Sequence, residues 1–183
     1  MIYTTKQLLK KHKNNTSINR MEKSGKLFRV AQGVYSDEQT NVADLESIFL
    51  VYKNAILTNE SAFAFYELTD NIPEKYSIVT PLKSHRISFK GVEQSYMQDS
   101  ILKIGLTKAK TEYGYINIYD KERLLVELFR LRNKFSYELY KEVVANYRKL
   151  AMENKIDFLK VFKYCDKFAY GKTIRKNIEE VII

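Results

Sequence analysis

Thr16, Ser17, Asn19, Arg20 and Lys23 stand within one short stretch of the chain. Wound as a helix, Ile18 and Met21 fall on one face, and this polar and basic set falls on or beside the other. Short hydroxyl and amide side chains reach base edges in a major groove, and Arg and Lys reach phosphates. Thr16, nearest the amino end, also lies where free backbone N–H groups can meet a phosphate. A solvated helix face is the plainer reading of such a set, so its neighbours decide. Lys26 and Arg29 follow in "GKLFRVAQGVYS", set among Leu27, Phe28, Val30, Val34 and Tyr35. That pattern is strand, tight turn, strand, and it presents two more cations.

Residues 1–36 hold eight basic side chains against one acid, Glu22, a net of +7. The whole chain carries +9 over 183 residues, so even spreading would place about +2 there; clustering is what recognition of a polyanion requires. The total alone says less, because 23 of the 31 basic residues are Lys, a bias that base composition can produce. Residues 37–147 are slightly acidic, with 14 basic and 16 acidic side chains. Residues 148–176 turn basic again, nine against three. Lys160, Lys163, Lys167, Lys172, Arg175 and Lys176 would form a second basic surface there, either solvated or facing flanking phosphates or a partner.

Other reactive types do not assemble. Asp120 and Glu122 suit the first turn of a helix, where acids favour its dipole. Arg123 and Glu127 are four apart and can pair. His12 and His85 are isolated, so no metal set at ligand spacing is expected. Cys165 lies on an apolar stripe and reads as a buried, inert thiol. "GKT" at 171–173 lacks the earlier glycine and the strand of a phosphate loop. The expectation is a protein that is not an enzyme, with no catalytic residue, metal or cofactor.

These groups need elements to hold them. Thr4 or Thr5 can cap a helix over 6–12 with Leu8 and Leu9 inward, "KNN" is a polar turn, and Thr16 suits the cap of a helix over 17–24. Gly25 fits the left-handed position after that helix, and "AQG" the loop of a bulged hairpin. Helix, turn, helix and a two-stranded wing is the minimal outline of a winged helix, without its usual first helix. The amphipathic segment 41–53, with Val42, Leu45, Ile48, Phe49 and Tyr52 on one face, is expected to cover the inner faces of the first two helices. Asn59 is expected to cap a helix over 60–68. Strands are expected at "KYSIVTP" and "RISFKGV", with one or two more around a turn at 113–114. From Asp120 the pattern is helical: 121–133, then a helix capped by Ser136, then a stripe of Phe158, Leu159, Phe162, Cys165 and Ala169. Gly171 would break the chain before a last helix from about Thr173.

Hydrophobic residues make up 45% of the chain, enough for a packed core. No apolar run approaches the ~20 residues of a membrane span. The start lacks signal-peptide features, and the lone Cys165 has no partner for an internal disulfide, so a cytoplasmic protein is expected.

Four segments in order, "YTTKQLL", "INRMEKSGKLFRVAQGVYS", "ILTNESAFAFYELTDNIPEKYSIVTP" and "INIYDKERLLVELFRLRNKFSYELYKEVVANY", resemble the AbiEi-type antitoxins, regulators of type IV (abortive infection) toxin–antitoxin pairs. The resemblance runs through most of the chain and rests on the ordered series. It implies a winged helix that represses its own operon by binding inverted repeats in double-stranded DNA. It also implies a carboxyl-terminal domain that neutralises a nucleotidyltransferase-like toxin. By position, Thr16, Ser17, Asn19, Arg20 and Lys23 become the groove-facing set, and Lys26 and Arg29 the wing's phosphate contacts. The wing tip is Ala31–Gln32 where relatives often carry Arg, so phosphate contact is expected rather than minor-groove insertion.

The expected fold class is α+β: a short amino-terminal winged helix-turn-helix over 1–37, then an antitoxin domain over 38–183, mixed α/β to about 119 and helical over 120–183. One rival reading is a protein-interaction module that binds and inhibits a toxin directly, with little sequence-specific DNA binding. Another is a nuclease-like enzyme using the acids of the middle region.

Overall fold

Thr4 and Gln7 open the first helix with a reciprocal pair. The Gln7 N–H donates to Thr4 Oγ1 at 3.3 Å, and the Thr4 N–H donates to Gln7 Oε1 at 2.7 Å. That capping box starts α1, Thr5–His12. The computed structural model describes residues 1–12, 14–39, 44–89, 91–112 and 114–183. Lys13 of the expected polar turn, Val42 of the expected third apolar stripe and Tyr113 of the expected later turn lie outside the described residues.

The second helix, α2, spans Asn15–Lys23, and its cap is Asn14, whose Oδ1 accepts from the Ser17 N–H at 2.8 Å. This corrects the expected Thr16 cap. Asn14 satisfies the same kind of orphan donor two residues earlier, so Thr16 sits inside the first turn. At the far end Gly25 takes φ 69. Its N–H donates to the Glu22 carbonyl at 3.1 Å and the Lys26 N–H to the Met21 carbonyl at 3.0 Å, a Schellman closure.

Strands β2 (Phe28–Ala31) and β3 (Val34–Ser36) pair antiparallel around Gln32–Gly33, with Gly33 at φ 76. Ala31 pairs with Val34, so the loop is shorter than the expected "AQG"; the irregularity falls between Arg29 and Ala31. A strand absent from the sequence expectation, β1 (Ile2–Thr4), pairs with the other edge of β3 and gives the order β1-β3-β2. Central β3 is buried at all three positions. Alternation sends Tyr35 to one face, where it joins Leu8, Ile18 and Leu27 in a small core. Val34 and Ser36 point to the other face, and α3 (Asp44–Val51) packs against β2 and β3. The expected cover is therefore corrected: the sheet, not α3, closes the inner faces of α1 and α2.

The remaining strands are β4 (Ile56–Leu57), β5 (Tyr76–Pro81), β6 (Val92–Met97), β7 (Leu106–Thr111) and β8 (Gly114–Tyr119). They form a second sheet in the order β6-β5-β4-β8-β7. Pairs β5–β6 and β4–β8 are parallel; β4–β5 and β7–β8 are antiparallel. The expected strand over "RISFKGV" is corrected. Gly91 turns at φ 72, and pairing with β5 begins at Val92. The preceding segment is instead tied by a side chain, the Ile87 N–H donating to Gln94 Oε1 at 2.7 Å.

Helices α4 (Asn59–Phe65), α5 (Asp99–Leu102), α6 (Lys121–Arg130), α7 (Tyr137–Met152), α8 (Phe158–Cys165) and α9 (Gly171–Ile182) complete the α+β fold. Asp120 and Ser136 cap α6 and α7 as the sequence indicates. Helix α6 is the hub: every residue from Arg123 to Phe129 is buried, and α4, α8 and α9 pack against it. Four expectations are corrected. Asn59 does not cap a helix but begins α4 at φ 47, and that helix ends at Phe65. Helix α6 stops at Arg130 and hands over to a 3-10 turn, Arg132–Lys134. On α8 the inward residues include Val161 and Cys165, while Leu159 is 74% exposed and Ala169 lies beyond the helix. Gly171 does not break the chain but starts α9, against the Cys165 backbone.

Candidate nucleic-acid interface

The candidate surface is built on the small amino-terminal core. Leu8 of α1, Ile18 of α2, Leu27 and Tyr35 are buried together, with Tyr3, Leu9 and Met21 packed at the margin. Ile18 and Met21 are three apart, so burying them turns the opposite face of α2 outward. Thr16, Asn19, Arg20 and Lys23 are exposed; Ser17 is half-buried, and its N–H is already engaged by the Asn14 cap. The Schellman closure at Gly25 directs the chain out of α2 and straight into the hairpin. Lys26 and Arg29 are both exposed there. The expected groove-facing set thus stays together, except that Ser17 sits deeper than its neighbours.

None of Arg20, Lys23, Lys26 and Arg29 forms a salt bridge among the described residues. Glu22, the acid within the basic cluster, does not neutralise them. Cations left in water beside one another generate a local positive potential that falls off over about 8 to 10 Å at ordinary salt. A close-approaching polyanion gains most from such an arrangement.

Tertiary structure adds a residue the sequence reading missed. Lys53, just past α3, joins Lys6 and Lys10 of α1 around an open groove of about 530 Å³. Leu50 and Val51 are among its apolar residues. Nothing in the local sequence relates Lys53 to α1; the link is made by packing α3 on the amino-terminal sheet.

The second basic surface is broken up. Lys160 bridges Asp120 at 3.0 Å and Glu122 at 3.2 Å. Burial works against its charge, but hydrogen bonds to those two carboxylates outweigh it and hold the ammonium pKa well above the usual range. Arg175 pairs with Glu179 at 2.9 Å and lies over the Phe162 ring, and Lys176 pairs with Glu180 at 3.6 Å. Lys163, Lys167 and Lys172 remain exposed. Acids four residues along the same helix answer Arg175 and Lys176, a spacing readable in the sequence.

The reactive types elsewhere are tied into the fold. Arg123 is fully buried on α6: its Nε donates to Glu127 Oε1 at 2.9 Å, and one terminal nitrogen donates to the carbonyls of Ile101 and Ile104. Its guanidinium also lies over the Tyr119 and Phe168 rings. Arg130 takes the second Glu127 oxygen. Cys165 is buried, and desolvation leads in pushing its thiol pKa up to about 11. Among the described residues no group of three or more His, Cys, Asp or Glu could hold a metal ion. Nor is any helix among them long and apolar enough to cross a membrane. Compared with protein-family models and with characterised proteins, the chain matches none.

Proposed function

We propose that this protein binds duplex DNA through a shortened winged helix formed by its amino-terminal elements. In this reading α2 enters the major groove, with Asn19 and Arg20 reading base edges and Thr16, Ser17 and Lys23 around them. Lys26 and Arg29 hold phosphates from the hairpin and set the register without reading sequence. The observation that carries the proposal is the exposed basic face of α2 and the hairpin, capped at Asn14, closed at Gly25, and free of carboxylate partners among the described residues. The resemblance of the four ordered segments extends it: the protein acts as an AbiEi-type antitoxin that represses its own operon and neutralises a nucleotidyltransferase-like toxin.

The test is a gel-shift titration on DNA from immediately upstream of the protein's own gene, with a scrambled duplex as control. Specific binding is expected, falling steeply with salt. Arg20→Ala should weaken it by roughly ten- to a hundredfold and relax sequence preference. Lys26→Ala should weaken all sequences alike and lower the salt slope by about 1. If the triple variant R20A/K23A/K26A binds as the parent does, this surface is not the interface. Growth rescue on co-expression with an adjacent nucleotidyltransferase-like reading frame tests the antitoxin part separately.

A further inference from the structure

Strands β5 and β6, the end of α6 and the turn before α9 enclose an open cleft of about 730 Å³. Val79 and Ser95 pair across β5 and β6, so both project from the same face of the sheet into it. Arg130, Lys134 and Lys167 also line it. Glu127 is the carboxylate among its lining residues, and both of its oxygens are already taken, by Arg123 and Arg130. Neither Lys134 nor Lys167 forms a salt bridge among the described residues. The cleft therefore holds an excess of positive charge in a concave setting, where an anion is attracted more strongly than on a flat surface.

Aromatic surface accompanies that charge. Tyr170 is 84% exposed and lines the cleft. Tyr170 holds φ 61, a left-handed backbone that a bulky side chain disfavours and that glycine would adopt freely. Asn59, also in the lining, holds φ 47. Packing keeps an aromatic ring in water, on a strained residue three positions after Lys167. Residues held in this way cluster at ligand sites.

We propose that this cleft binds a nucleoside 5′-phosphate. Arg130, Lys134 and Lys167 take the phosphate, and the base stacks on Tyr170. The volume lies in the range of small-molecule sites, roughly 300–1,000 Å³, and is too small for a duplex. The site is distinct from the amino-terminal face and stands or falls independently of DNA binding there.

Isothermal titration of the full chain with AMP, GMP and inorganic phosphate tests it. A nucleotide should bind at least about tenfold more tightly than phosphate, the difference being the stacked base. Lys134→Ala and Lys167→Ala should each weaken nucleotide binding roughly tenfold. Tyr170→Gly should weaken it by a similar factor while the melting temperature holds or rises, since the backbone strain is relieved; this variant separates a binding role from loss of fold. Three results would each overturn the proposal: no binding of either nucleotide, equal binding of phosphate and nucleotide, or nucleotide affinity unchanged in K134A/K167A. Affinity lost in R20A/K23A/K26A but kept in K134A/K167A would assign the nucleotide to the amino-terminal face instead.

Discussion

Two glycines show how differently the same residue is used. Gly171 begins α9 so close to the preceding helix that a methyl group there would overlap the Cys165 carbonyl oxygen and come within 2.8 Å of its carbon. Both are backbone atoms and cannot rotate away. Gly25 meets nothing within 4 Å, but its φ of +69 is a left-handed conformation. Gly171→Ala is therefore an overpacking problem, expected to lower stability by about 3 kcal/mol. Gly25→Ala carries backbone strain alone, about 1 kcal/mol. Urea unfolding of both variants should return that order; equal losses would show that the α8–α9 contact relaxes more easily than the geometry indicates. Arg123 makes a related point. A sequence pattern of Arg and Glu four apart reads as a surface pair, yet Arg123 is 0% exposed. Its identity as the central tie between α6, α5 and two rings depends on partners that lie far away in sequence.

At the scale of elements, the orientation of α2 follows from its two ends. Asn14 sets where the helix starts, and the Gly25 closure sets where the hairpin begins. Asn14→Ala removes the side chain that satisfies the Ser17 N–H and should cost about 1 kcal/mol. Thr16→Ala, at an exposed first-turn position, should change stability by less than about 0.5 kcal/mol. Paired thermal melts decide between the observed cap and the one the sequence favours; a larger loss for Thr16→Ala would place the cap there after all. Strand β1 shows why the sequence reading stopped at a two-stranded hairpin. Ile2–Thr4 is only three residues long and carries no turn signal linking it to Val34–Ser36. Likewise β6, "VEQSYM", is too polar to announce itself, and it is a strand because β5 offers it a parallel edge.

Across the whole molecule, the larger core encloses phenols as well as aliphatic chains. Burial is the leading cause that raises the pKa values of Tyr66, Tyr119, Tyr147 and Tyr164; Tyr66 and Tyr164 are pushed up to about 12, and Tyr119 and Tyr147 are held well above the usual range. In the unfolded chain each would ionise near its ordinary value of about 10. A folded pKa above the unfolded one means stability that is intact below about pH 10 and lost as pH climbs through the folded values. The window should open near pH 10 and continue past 12. Of the 14 tyrosines, these four should ionise only in the step that abolishes the circular dichroism signal. Ionisation of these four near pH 10 with the fold intact would contradict the packing described around α6.

Features that depend on near neighbours along the chain can be read from the residues without coordinates. The apolar face of α2, the caps Asp120 and Ser136, the left-handed Gly25, the hairpin turn at Gly33 and the basic excess of residues 1–36 are all legible in the residues. Each is governed by helical spacing, a local hydrogen bond or a backbone angle, over a few residues. Tertiary structure alone decided which strands pair, which face α3 covers, which cations keep their charge exposed, and which meet in one place. Lys53 reaches α1, Lys160 is claimed by Asp120 and Glu122, and Arg130, Lys134 and Lys167 gather beside Tyr170 because distant segments pack on one another. Burial and long-range electrostatics depend on distance in space, and residue spacing along the chain does not record it.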